Sequence, residues 1–196
     1  ASISIPEGIT SIGNAAFAEN NLSELKIPDS VVSIGEYAFW SNQLTKVIIP
    51  DTVTSIGEAA FQSDKLESIT IGDGLSDISH KLLGVNPNLS SIYFGNGISH
   101  IAPYEFNVLN LKEIEIGEKV ASIGTYAFQR NQLETLVIPG NVKTIGDYAF
   151  AINQLKNVEI LDGVTSIGDV AFQYNRLSSV IIPNSVESLG DYVFHD

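Results

Sequence analysis

The chain reads as an α/β-type repeat solenoid, with a parallel sheet along one side and short helical or 3₁₀ turns along the other. Two observations carry that expectation. Apolar runs of strand character end at Ile5-Pro6, Ile27-Pro28, Ile49-Pro50, Ile71-Gly72, Phe94-Gly95, Ile116-Gly117, Ile138-Pro139, Ile160-Leu161 and Ile182-Pro183, a step of 22 residues broken once by a step of 23. A second anchor, Phe17, Phe39, Phe61, Leu83, Phe106, Phe128, Phe150, Phe172 and Phe194, keeps the same step and takes its extra residue in the same central region. Self-similarity at a period of about 20 to 50 residues marks stacked units that bury their apolar faces against one another. Residues 1–196 are therefore expected to form a single repeat domain of about nine units around one continuous core.

Residues Asn131 to Phe150 show how one unit is built. Leu133, Leu136 and Ile138 end in apolar positions two apart, the period of a strand with one buried face. Short strands that recur in the same direction pair in parallel, about 4.8 Å apart. The proline after the strand ends the ladder by removing a donor. Val142, Ile145, Ala149 and Phe150 then fall at i, i+3, i+7 and i+8, a helical or tight-turn spacing. A stretch of about nine residues predicts a short turn, partly 3₁₀. The glycine of Ile-Gly (Gly13, Gly35, Gly57, Gly124, Gly146, Gly168, Gly190) is expected to meet a backbone angle or a close approach that a Cβ would forbid.

The pattern N-x-L-x-x-V-x-I-P-x-x-V-x-x-I-G-x-x-A-F resembles the BspA-type, or Treponema pallidum type, leucine-rich repeat. Ile-Gly-x-x-Ala-Phe recurs intact in six units, and the last unit has Leu-Gly and Val-Phe variants. The resemblance covers essentially the whole chain. It implies a right-handed coil with the strands on a concave face and the helical turns on the convex face. It also implies a secreted or surface protein, mostly bacterial, that binds host proteins or other cells. The family places cysteine or asparagine shortly before the first leucine; here it is Asn20, Asn42, Asn131, Asn153 and Asn175, with Asp64 substituting. A buried amide must be hydrogen-bonded, which predicts a ladder between neighbouring coils.

The repeat is irregular at 73–111, where Ile78-Ser79 and Ile101-Ala102 replace Ile-Gly and Leu83 replaces phenylalanine. The asparagine shifts there to Asn88 and Asn110, and Pro103 enters the turn. Drift, a bend in the coil or a binding feature would each produce such a break. His80 and His100 lie here near Asp77 and Glu105 but occupy different columns, so exposed turn histidines are expected and no metal site.

If Leu136 and Ile138 point inward, the residues between and before them face outward. One outward column is Lys26, Ile48, Thr70, Tyr93, Glu115, Val137, Glu159 and Ile181; its neighbour is Glu24, Lys46, Ser68, Ser91, Glu113, Thr135, Asn157 and Ser179. The candidate ligand-binding residues on the concave face are Lys46, Ile48, Ser91, Tyr93, Glu113, Glu115, Thr135 and Val137, with Tyr93 as the aromatic anchor. Acids also recur, at Glu7, Asp29, Asp51, Asp73, Glu118 and Asp162 after the strand and at Glu36, Glu58, Asp147, Asp169 and Asp191 in the turn. Solvation and capping of free N–H groups are the favoured account of these, with weak Ca²⁺ binding as the alternative. Tyr37, Tyr104, Tyr126, Tyr148 and Tyr192 share a column two residues before the phenylalanine anchor and should stack as a ladder.

Composition bounds the function. Ten Lys and Arg against 23 Asp and Glu give a net charge of −13, which repels phosphate backbones and anionic lipid and argues against a nucleic-acid partner. Without cysteine there is no disulfide frame, thiolate metal site or cysteine nucleophile. No apolar run approaches the roughly 20 residues that span a bilayer, so membrane insertion is not expected. No nucleophile motif or phosphate loop appears, so neither enzymatic activity nor a cofactor is expected. The expected function is an extracellular, adhesion-type binding module for a protein or glycan on another cell or host. The alternative is a structural spacer in a larger surface protein. The chain opens within a repeat and lacks polar caps, which suggests a fragment whose open ends are covered by flanking repeats or by self-association.

Overall fold

The computed structural model describes residues 2–63, 65–76, 78, 83 and 85–195. Asp64, Asp77, Ser79 and His80, singled out above, lie outside the described residues. The chain divides into two units, Ala1–Gly97 and Ile98–Asp196. Each is a stack of parallel-strand coils, a leucine-rich-repeat-like β-solenoid in its own right.

In the first unit the longer strands are β1 (Ser2–Ser4), β3 (Glu24–Lys26), β5 (Lys46–Ile48), β7 (Ser68–Thr70) and β8 (Ser91–Tyr93). β1 pairs with β3, and β5, β7 and β8 pair in that order, all parallel. The register sets Val47 beside Ile69 and Ile69 beside Ile92, all at most 1% exposed. The pleat that buries this column turns its neighbours outward. In the second unit the longer strands are β10 (Glu113–Glu115), β12 (Thr135–Ile138) and β14 (Asn157–Ile160). Leu133, Leu136, Ile138, Val142, Ile145, Ala149 and Phe150 are all buried, so the inward set expected for the repeat is the observed core.

The second half of each coil departs from the helical expectation. Among the described residues there is almost no helix. This half opens with a two-residue strand: β2 (Ser11–Ile12), β4 (Ser33–Ile34) and β6 (Ser55–Ile56) in the first unit, and β9 (His100–Ile101), β11 (Ser122–Ile123), β13 (Thr144–Ile145), β15 (Ser166–Ile167) and β16 (Ser188–Leu189) in the second. These pair in parallel with their neighbours and form a second ladder in each unit. The turn that follows is irregular because two of its residues are left-handed, such as Tyr126 (φ 61°) and Arg130 (φ 57°) on either side of Phe128. A left-handed residue ends a helical run. It also aims alternate N–H groups at the next coil: Tyr126, Phe128 and Arg130 donate to the carbonyls of Asp147, Ala149 and Ala151 at 2.8–3.0 Å. The i, i+3, i+7, i+8 spacing is satisfied by a strand followed by two turns as well as by a helix.

The phenylalanine anchors stack along the interior. Phe17, Phe39 and Phe61 have centroids 5.3–5.4 Å apart in the first unit, and Phe106 to Phe194 form an unbroken column at 5.3–5.5 Å in the second. The glycine column from Gly35 onward serves close approach between coils, whereas a Cβ on Gly13 would meet nothing within 4 Å. A Cβ on Gly146 would lie 2.6 Å from the backbone nitrogen of Thr125.

The expected asparagine ladder is present except at Asn20, which is exposed and donates to the Ala18 carbonyl at 3.0 Å. Asn153 accepts from the Leu133 N–H at 3.1 Å and donates to the carbonyls of Phe128 and Phe150, each at 3.0 Å. Asn42, Asn131 and Asn175 do the same in their own coils. The irregular region corrects the expected shift. Asn86, and not Asn88, fills this position in its coil: it is buried, accepts from the Ser63 N–H at 3.0 Å and donates to the Leu83 carbonyl. Asn88 is exposed. Asn110 is exposed as well and accepts from Gln132 at 3.0 Å. The reason is spacing: Asn86 lies three residues after Leu83, as Asn42 lies three after Phe39, and the amide must reach carbonyls fixed by the turn.

Candidate functional site

The candidate residues fall into two groups, four in each unit. In the first unit Lys46 is exposed, Ile48 is 56% exposed, and Ser91 and Tyr93 are half-buried. The parallel register aligns Lys46, Ser68 and Ser91 in one row and Ile48, Thr70 and Tyr93 in the next. A branched apolar side chain therefore stands in water two strands from a tyrosine, with threonine between them and a lysine at one corner.

In the second unit Glu113 and Glu115 are exposed on β10, and Thr135 and Val137 on β12, Val137 at 51%. Thr135 pairs with Asn157 and Val137 with Glu159. Beside them is an open groove lined by Lys112, Glu113, Gln132, Glu134, Thr135 and Gln154. Sequence reasoning followed only the strand columns and missed Lys112, Gln132, Glu134 and Gln154. Their signal was available one coil apart, in Gln132 with Gln154 and in Glu134 with Lys156. Lys156 Nζ donates to Glu134 Oε2 at 2.8 Å. That hydrogen bond, and then the lysine charge, hold the Glu134 carboxyl below its usual range, with Arg176 and Lys112 adding to the effect and desolvation opposing it. Both partners are more than half exposed, so the pair fixes side-chain direction more than it stabilises the fold.

Four members of the acidic columns cap N–H groups of the next coil. Asp51 Oδ1 accepts from the Asp73 N–H at 2.9 Å, and Asp73 Oδ1 from the Asn96 N–H at 2.7 Å. Asp147 and Asp169 accept likewise from Asp169 and Asp191 at 2.9 and 2.7 Å. Hydrogen bonding to N–H groups offsets the repulsion of stacked carboxylates. Among the described residues no group of three or more His, Asp or Glu is arranged to hold a metal ion, and none of the helices is long and apolar enough to cross a membrane. His100 is exposed, with its Nδ1 3.1 Å from Ser99 Oγ. The tyrosine column stacks in part: Tyr104, Tyr126 and Tyr148 lie ring on ring, whereas Tyr37 meets Trp40 and Tyr192 meets His195 edge-on.

Several solved structures are similar to this chain. A leucine-rich repeat protein from Bacteroides ovatus aligns with a TM-score of 0.52 at 19% identity, over 97% of this chain and 69% of its own. A leucine rich cell surface protein from Faecalibacterium prausnitzii has a TM-score of 0.39 at 25% identity, over 80% of this chain and 58% of its own. The pneumococcal vaccine antigen PcpA has a TM-score of 0.36 at 17% identity, over 95% and 61%. No protein of curated function matches in sequence. The first of these supports the fold alone. The family model described as BspA type leucine rich repeat region (6 copies) matches residues 1–106 and 84–196. With the asparagine ladder, the glycine contacts and the phenylalanine stack all in their repeat positions, the chain belongs to the BspA-type leucine-rich repeat family.

Proposed function

We propose that this chain is a ligand-binding module of a secreted or cell-surface protein, and that it takes a protein or glycan through the outward face of its longer strands. Leucine-rich repeat solenoids are typically non-enzymatic, and family membership supports the surface location. The observation that carries the reading is the row Ile48, Thr70 and Tyr93. The buried columns are used up in holding coils together, whereas Ile48 is more than half exposed on a face otherwise made of Lys, Glu, Ser and Thr. An apolar and aromatic pair with a polar rim is the composition of a recognition surface. Val137, set among Thr135, Glu113 and Glu115, is the counterpart within the second unit.

The test is binding of the labelled chain to an array of extracellular-matrix proteins and glycans, beside Tyr93→Asp and Ile48→Asp. Loss of an anchor costs about 2 kcal/mol, roughly a thirtyfold weaker Kd. Retained binding in both folded variants would move the site off this row. Absence of any ligand would favour the spacer.

A further inference from the structure

We propose that Tyr104, Tyr126 and Tyr148 form an oxidative cross-linking site, at which hydrogen peroxide acting through a haem peroxidase joins neighbouring rings by a carbon–carbon bond and ties adjacent coils of the second unit together.

Geometry carries the proposal. Tyr104 and Tyr126 have ring centroids 4.7 Å apart with 17° between planes, and Tyr126 and Tyr148 4.7 Å apart with 11°. These rings lie closer than the stacked phenylalanines, at 5.3–5.5 Å. They are also within reach of solvent: Tyr104 is 59% exposed, and Tyr126 and Tyr148 are half-buried. The backbone does not call for an aromatic here. The same left-handed position holds Ala15 and Ala59 in the first unit, and an aromatic side chain at positive φ is costly.

Composition supplies an independent argument. Sulfur side chains are the usual sinks for oxidants, and this chain has no cysteine and no methionine. Its single tryptophan, Trp40, is in the first unit. An oxidant that reaches the second unit therefore meets tyrosine first. Partial burial against the flanking rings, then repulsion from the Tyr148 and Tyr104 phenols and the Asp147 carboxylate, raises the Tyr126 phenol above its usual range. At neutral pH the ring keeps its proton, and oxidation removes electron and proton together.

The step balances. Each of two phenols loses one hydrogen atom, and the pair reduces one hydrogen peroxide to two waters. The two phenoxyl radicals couple through the ring carbons ortho to oxygen, and the two displaced ring hydrogens return to the oxygens. The product is a dityrosine lighter by two hydrogens.

The test treats the full chain, dilute enough to stay monomeric, with peroxidase and hydrogen peroxide. Expected are dityrosine fluorescence, the loss of two hydrogens by mass spectrometry, and a mapped link between Tyr126 and either Tyr104 or Tyr148. Tyr126→Phe leaves two tyrosines separated by two coil spacings, roughly 9.6 Å, and should abolish the link within the chain. Tyr104→Phe, a change at an exposed ring, should leave only the Tyr126–Tyr148 product. An unchanged yield in Tyr126→Phe, links mapped to other tyrosines, or no product where free tyrosine couples would each overturn the proposal.

Discussion

The two units are built from the same repeat but are filled differently. In the second, Phe106, Phe128, Phe150, Phe172 and Phe194 stack without interruption, and Asn131, Asn153 and Asn175 repeat one hydrogen-bond pattern. In the first, the stack runs from Phe17 through Phe61, and Leu83 takes the next place in the column. The strand step from Ile69 to Ile92 also takes in the extra residue. Yet Leu83 is buried and Asn86 still reaches across to Ser63. The difference teaches that ring and amide are separable: the coil of Leu83 keeps the buried amide without the ring, and the coil of Phe106 keeps the ring with Leu109 at the amide's offset.

The sharpest test of that comparison compares Phe128→Ala with Phe61→Ala. Phe128 has a stacked ring on both sides at 5.3 Å, whereas Phe61 stacks on Phe39 at 5.4 Å and is followed by Leu83. Both changes leave a cavity, and the cost of about 3–5 kcal/mol for a buried aromatic should lie near its top for Phe128 and near its bottom for Phe61. Urea unfolding reads the difference; equal losses would show that the second ring adds nothing.

A smaller effect is expected at the glycine column. In Gly146→Ala the new Cβ would press on backbone atoms of Thr125 and Gly124 at 2.6 and 2.8 Å, which should cost about 1–3 kcal/mol as overpacking. The irregular coil already has Ala102 at this position. Ala102→Gly should therefore shift stability by no more than about 1 kcal/mol, checked by the same melts. A large loss there would mean that the irregular coil has come to depend on its Cβ.

The smallest effect belongs to the groove. Lys156→Ala removes the hydrogen bond that depresses Glu134, so the carboxyl should titrate nearer its ordinary value by NMR. A folded-state pKa below the unfolded value adds stability above the unfolded value, and that stability is lost as pH falls through the folded one. Because the pair is exposed, the melting temperature at neutral pH should barely move. A clear drop would show that the groove is braced by this pair.

Much of this was legible in the repeat. The inward set from Leu133 to Phe150, the outward rows and the asparagine ladder all follow from side-chain period and from the cost of burying an unpaired amide. The helical turns expected on the convex side were not legible correctly, because apolar spacing records which side chains face inward and not the backbone path between them. Tyr126 and Arg130 take left-handed angles that no local propensity favours, and the N–H bonds they send to the next coil compensate. The assignment of Asn88 failed for a related reason: counting back from the next leucine chose it, whereas the amide must reach the carbonyl of the anchor Leu83 and so lies three residues after it, at Asn86.

The sequence by itself determined the period, the family and the division of residues into inward and outward columns, since each is a matter of spacing along one chain. Only the tertiary structure decided how the turns are folded, which Oδ atoms cap which N–H groups, how far Ile48 stands in water, and that three of the tyrosine rings meet at 4.7 Å. Those are relations between coils, and they follow from the parallel register that sets one coil against the next.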